Sequence, residues 1–182
     1  MQVQQSFASS QKHLGSDVID SYVLHGPSRA HQLVDDDWQA WGAMEQLHTA
    51  GAARTLGISN VSIAQLEALV AGANVRPAFV QNRCYANRGW DADVRAFCRS
   101  HAIAYQGFSL LTANPQVLAS TEVLSVAKRL SLTASQVVFA FALQVGMLPL
   151  TGTSDVSHMR DDLQVVGLTL DTEALQRIER LG

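Results

Sequence analysis

The sequence predicts an α/β fold, with a parallel sheet of five strands and helices outside it. Three observations predict it. Short apolar runs alternate with longer stretches of helical period along 182 residues. Each apolar run finishes in small polar groups, as strands do at the rim where parallel α/β proteins place their chemistry. No Pro- or Gly-rich linker and no low-complexity segment divides the chain, so 1–182 reads as a single domain.

Residues 2–14 read as a helix preceding the first strand, 18–25. A helix over 36–50 follows. Val34 starts it, Asp35, Asp36 and Asp37 supply cap and first-turn charge, and Trp38, Trp41, Met44, Leu47 and His48 form its apolar stripe. Gly51 ends it. A second strand at 53–58 leads to a helix over 62–72, and a third strand at 77–82 to a helix over 90–101. The fourth strand, 103–109, precedes two helices at about 116–129 and 133–145, the latter capped by Thr133 and stopped by Gly146. A fifth strand at 147–151 and short helices at 155–163 and 171–181 close the chain.

Composition bounds the function. Hydrophobic residues make up 47%, charged residues 16%, and the formal charge is -3. Lys and Arg are scattered, which argues against a nucleic-acid surface. No apolar run reaches the ~18 residues of a membrane span. The segment Met1-Gln2-Val3-Gln4-Gln5 lacks the basic and apolar regions of a signal peptide. Cys84 and Cys98 have no metal-ligand spacing and read as reduced thiols of a cytoplasmic protein.

The strand ends carry the polar chemistry. The first ends Leu24-His25-Gly26-Pro27, the second Gly57-Ile58-Ser59-Asn60, the third Val80-Gln81-Asn82-Arg83. The fourth ends Gln106-Gly107-Phe108-Ser109 and the fifth Leu150-Thr151-Gly152-Thr153-Ser154. Amide side chains both donate and accept, which suits a neutral carboxamide or a sugar. Thr153 and Ser154 are expected to begin a helix, whose free N–H groups favour a phosphate.

Taken in order, the set resembles the aldo-keto reductase superfamily over about residues 2–181. The motifs are Asp17-Val18-Ile19-Asp20-Ser21-Tyr22-Val23-Leu24-His25-Gly26-Pro27, Leu56-Gly57-Ile58-Ser59-Asn60, Pro77-Ala78-Phe79-Val80-Gln81-Asn82-Arg83, Phe108-Ser109-Leu110-Leu111 and Leu150-Thr151-Gly152-Thr153-Ser154. The resemblance implies part of a (β/α)8 TIM barrel, strands 4–8 with their helices, without the first three βα units. It implies NAD(P)H-dependent reduction of aldehydes or ketones, with NADPH as cofactor and NADH as the second choice. His25 would orient the substrate carbonyl. Ser59, Asn60 and Gln81 would hold the nicotinamide carboxamide. Phe108 stands where the family has a tyrosine stacked on the nicotinamide, and a phenyl ring stacks as well. Ser109, Leu110 and Leu111 would meet the pyrophosphate, and Gly152, Thr153, Ser154, His158, Asp161 and Asp162 the adenosine half.

Two departures follow from the resemblance. NADPH-specific members have a lysine where this chain has Gly152 and an arginine where it has His158. The family's catalytic Asp, Tyr and Lys lie on strands before the one carrying His25, and these 182 residues offer no replacement: alternation turns Tyr22 toward the helices. A truncated form with impaired or no catalysis is therefore expected, self-associating through open barrel edges. The alternatives are a non-catalytic nucleotide-binding or regulatory module, or a non-functional remnant.

Overall fold

The computed structural model describes residues 2–181. Its elements run α1 (Gln2–Leu14), β1 (Ile19–Leu24), α2 (Asp35–Thr49), β2 (Ala53–Ser59), α3 (Ile63–Gly72), β3 (Phe79–Arg83), a 3-10 turn (Ala86–Asp91), α4 (Ala92–Ser100), β4 (Ala104–Phe108), α5 (Pro115–Leu118), α6 (Thr121–Leu130), α7 (Ala134–Gln144), β5 (Met147–Leu150), α8 (Val156–Gln164) and α9 (Thr172–Glu179). The strand order is β1-β2-β3-β4-β5. Each strand lies beside its predecessor, so the winding never reverses. A barrel winds this way, whereas a doubly wound sheet reverses at a switch point.

The chain divides into two compact units. The first runs to Gln81 and takes in Ser100–Ile103; the second holds Asn82–Arg99 and the residues from Ala104 on. In the first, β1 pairs with β2 in parallel, Tyr22 opposite Leu56 and Val23 opposite Gly57. The Tyr22 ring packs edge-on against Phe7 of α1, centroids 4.9 Å apart, so this face of β1 meets the helix layer as alternation predicts. Trp41 and Met44 of α2 and Leu66 and Leu69 of α3 are buried beneath the strands with Leu56 and Ile58. The opposite face is closed locally by Phe79. Its ring lies across β2, where a Cβ at Gly57 would stand 2.2 Å from it, so only glycine fits there.

Asp37 ties the segment before α2 to the helix. One carboxylate oxygen accepts from the Ser28 N–H and hydroxyl, both 2.8 Å, and the other from the Val34 N–H at 2.9 Å. The acidic triplet thus serves as a helix start, with Val34 at the cap position.

In the second unit, β4 pairs with β5 in parallel, Tyr105 opposite Met147 and Phe108 opposite Leu150. Trp90, Phe141, Met147 and Ile178 fill its core. The turn before α4 departs from the expected helix over 90–101: Gly89, Trp90 and Asp91 all have positive φ, at 68°, 55° and 52°. Two non-glycine residues in that region are strained. Long-range bonds hold them: Asp91 accepts from the Asn82 amide and the Tyr105 hydroxyl, both 2.8 Å, and the Trp90 indole donates to the Ile178 carbonyl at 3.1 Å. Burial, then the neighbouring Cys84 and Asp91, pushes the Tyr105 phenol up. Cys84 and Cys98 are buried free thiols, pushed up to about 12 by burial and then by the Asp91 charge.

The single helix expected over 116–129 is two helices. Ser120 breaks it, its Oγ accepting from the Val123 N–H at 3.2 Å as the N-cap of α6. The cap expected at Thr133 is present, with Gln136 completing a capping box.

Candidate functional site

The end of β2 is a hydrogen-bonded knot. Ser59 is buried at the last position of β2, and its hydroxyl donates to the Gln81 carbonyl at 2.7 Å. The Asn60 N–H donates to the same carbonyl at 3.0 Å. Asn60 reaches this geometry only in the left-handed region, φ 53°, which Asn tolerates better than most residues. Its Nδ2 donates to the His25 carbonyl at 2.8 Å and to Ser59 Oγ at 3.1 Å. A carbonyl acceptor fixes which way the amide points, because only the nitrogen can donate. Both Nδ2 hydrogens are spent on the protein, which leaves Oδ1 as the outward group, an acceptor for a ligand N–H.

His25 lies one residue beyond β1, exposed, its backbone held by Asn60 and its imidazole at the strand end. The next residue approaches closely: a Cβ at Gly26 would stand 3.3 Å from the Ser59 carbonyl. The structure therefore brings His25, Ser59, Asn60 and Gln81 together within the first unit. Ser59 acts here as a tie between strands, its proton committed to Gln81.

The second unit gathers another group. Phe108 ends β4, half-buried, and its carbonyl accepts from the Cys84 N–H at 3.1 Å. Ser109 takes a left-handed φ of 56° and its carbonyl accepts from the Ala113 N–H. The Leu110 side chain is core, 2% exposed, so the loop can offer a ligand only its backbone there. Asn114 anchors the loop from below, donating to the Cys84 and Leu110 carbonyls and accepting from the Ala86 N–H.

Leu111, Thr133, Ser135, Thr151, Gly152, Thr153, His158, Asp161 and Asp162 line a recess of about 310 Å³. Six of these were expected on sequence grounds; Ser154 lies outside the lining. Thr133, Ser135 and Thr151 were not expected. Thr133 had a complete local role as a cap, and only the fold carries it to the recess. Buried Gln136 makes the connection, its Nε2 donating to the Asp161 carbonyl at 3.2 Å and so tying the start of α7 to α8. Thr151 Oγ1 donates to Asp162 at 2.9 Å.

The helix start expected at Thr153 and Ser154 is corrected. Asp155 is the N-cap of α8, its Oδ1 accepting from the Ser157 and His158 N–H groups and the Ser157 hydroxyl. These bonds, the Ser157 hydroxyl first, hold the carboxyl below its usual value. The amides that would attract a phosphate already hold an anion belonging to the chain.

Each of the three tyrosines has partners within the chain. Tyr22 packs on Phe7, and Tyr105 is buried against Asp91. The Tyr85 ring lies beneath two guanidinium groups, Arg83 at 5.5 Å and Arg88 at 5.0 Å. The two lysines, Lys12 and Lys128, are exposed on α1 and α6.

The sequence model of the Aldo/keto reductase family matches residues 1–182. The chain belongs to this family. Its relatives include aldo-keto reductase family 4 member C11 of Arabidopsis thaliana, 28% identical over 196 residues, with 98% of this chain and 62% of that protein covered. The NADPH-dependent alpha-keto amide reductase of Saccharomyces cerevisiae is 25% identical over 187 residues, covering 94% of this chain and 58% of the relative. Among solved structures, a Gox0644 variant in complex with NADPH superposes with a TM-score of 0.86 at 25% identity, over 98% of this chain and 64% of the other. The chain thus spans about three fifths of the length of these aldo-keto reductases. Together with five parallel strands in sequential order, this makes the fold part of the family's (β/α)8 barrel.

Proposed function

We propose that this single aldo-keto reductase-like domain serves NAD(P)H-dependent reduction of small aldehydes or ketones, its described residues holding the cofactor and meeting the carbonyl. One observation carries the reading. Six residues that the family resemblance assigns to the cofactor, Leu111 after β4 and five within 152–162, line one recess. The donor set fits a nucleoside: threonine and serine hydroxyls, an imidazole and two carboxylates can pair with ribose hydroxyls and ring nitrogens.

The reduced nicotinamide, when bound, supplies the hydride. The residues of the chain supply the rest. Asn60 Oδ1 accepts from a carboxamide N–H, and the amide is already locked by the His25 carbonyl. Phe108 offers an apolar ring face for stacking. The His25 imidazole N–H donates to the substrate carbonyl oxygen and polarises it. No tyrosine or lysine among the described residues takes the proton-donating role, so the 182 residues by themselves are expected to bind far better than they turn over. That same contrast favours the second reading, a nicotinamide-nucleotide-binding or regulatory module. The buried reduced thiols Cys84 and Cys98 support a cytoplasmic setting.

Titration with NADH and NADPH, followed by nicotinamide fluorescence and then by addition of 4-nitrobenzaldehyde, tests the proposal. Saturable binding is expected, with slow oxidation. Absence of binding by either nucleotide would sink it, and binding with no oxidation would leave the module reading. His25→Ala should lower any turnover by about 10²-fold or more while leaving nucleotide affinity nearly unchanged.

A further inference from the structure

The recess beside α8 has an unusual charge for a site that would accept a 2′-phosphate. Asp161 and Asp162 line it, and no lysine or arginine does. Arg160, the cation nearest in sequence, is exposed on α8 and outside the lining. Thr151 already donates its proton to Asp162, so this hydroxyl reinforces the carboxylate and is not available to an incoming oxyanion. The start of α8 gives no relief, because Asp155 occupies its free N–H groups and adds a third carboxylate at that end. A phosphate dianion entering here would face two carboxylates, with the His158 imidazole as its one basic neighbour among the lining side chains. A ribose 2′-hydroxyl would instead donate to a carboxylate, a charge-assisted bond.

We propose that this recess selects the unphosphorylated ribose, so that the chain prefers NADH to NADPH. The inference rests on reading the recess as the adenosine half-site and reverses the cofactor order implied by the family resemblance. Gly152 sharpens the point. It lies in the recess with nothing within 4 Å of the position a Cβ would take, and its φ is not in the left-handed region. The site has room for a cationic side chain there and carries none.

The test uses ADP-ribose and 2′-phospho-ADP-ribose, which present only this half of each cofactor, with calorimetric Kd as the readout. ADP-ribose should bind about tenfold or more tightly than its 2′-phosphorylated counterpart at low salt. The gap should close in 1 M salt, where the Debye length falls to ~3 Å. Gly152→Lys, and separately the pair Asp161→Asn with Asp162→Asn, should each move the ratio toward the phosphorylated ligand by about tenfold. Equal or tighter binding of 2′-phospho-ADP-ribose by the unmodified protein overturns the preference and leaves the half-site standing. If neither ligand binds while NADH does, the recess is not the adenosine half-site and the inference falls with it.

Discussion

Asp37 and Asp155 show how differently two capping carboxylates can act. Burial pushes the Asp37 carboxyl up, but three hydrogen bonds from Val34 and Ser28 outweigh it and hold the group below its ordinary value. Its folded value lies below the unfolded one. The stabilisation is therefore complete above about pH 4 and lost as pH falls through the folded value. Asp37→Asn should cost about 1–2 kcal/mol near neutral pH and much less near pH 3, read from urea melts at the two conditions. Asp155, exposed at the start of α8, caps that helix and fills its free N–H groups. Asp155-Val156-Ser157 suits an N-cap, because an aspartate accepts from N–H groups two and three residues on, but Thr153 and Ser154 are equally good cap types and local sequence does not choose among the three. Asn60 was legible as a strand-end amide. Its left-handed φ and its hold on His25 were not, since they depend on a partner 35 residues away.

At the level of elements, the 3-10 turn over Ala86–Asp91 joins β3 to the end of the chain. Arg95, 5% exposed, donates to the Trp90 carbonyl at 2.8 Å, to the Val145 carbonyl at 3.1 Å and to Glu179 of α9 at 2.8 Å. Removing Arg95 strands buried acceptors, whereas Glu179 is half open to water. Arg95→Ala should cost about 3 kcal/mol or more and Glu179→Gln under about 1 kcal/mol, compared by chemical denaturation. Trp90→Ala, emptying a fully buried site, should cost about 3–5 kcal/mol. Helical period and glycine stops marked the ends of most elements to within two residues. The turn at Gly89–Asp91 was beyond local reading. Its conformation is unfavourable for Trp and Asp in isolation, and bonds from β3, β4 and α9 impose it.

Across the whole molecule, strand faces divide by cover. In the first unit the Tyr22 and Leu56 side of the strands meets helices, and in the second the Tyr105 and Met147 side is buried. On the alternate face of the first unit's strands Ser21 is exposed and Val23 half-buried; on that of the second unit's strands Ala104 and Leu148 are exposed and Gln106, Phe108 and Leu150 half-buried. In a closed barrel such alternate faces form the packed interior. The 182-residue chain is therefore expected to self-associate at micromolar concentration or to bind a hydrophobic dye. A compact monodisperse monomer in sedimentation, with no dye uptake, would contradict this. The winding was legible because alternating periods and polar strand ends are written locally. The acidic recess was not, because it joins the ends of β4 and β5 with the start of α7 and with α8.

Cys84 and Cys98 have one more use. Both lie in the second unit, both are buried, and neither carries appreciable thiolate near neutral pH. A disulfide reagent should reach them only when that unit opens, so their rate of modification measures its opening free energy separately from the rest of the chain. If nucleotide binds the recess, its addition should slow that clock, giving a signal for occupancy that requires no turnover.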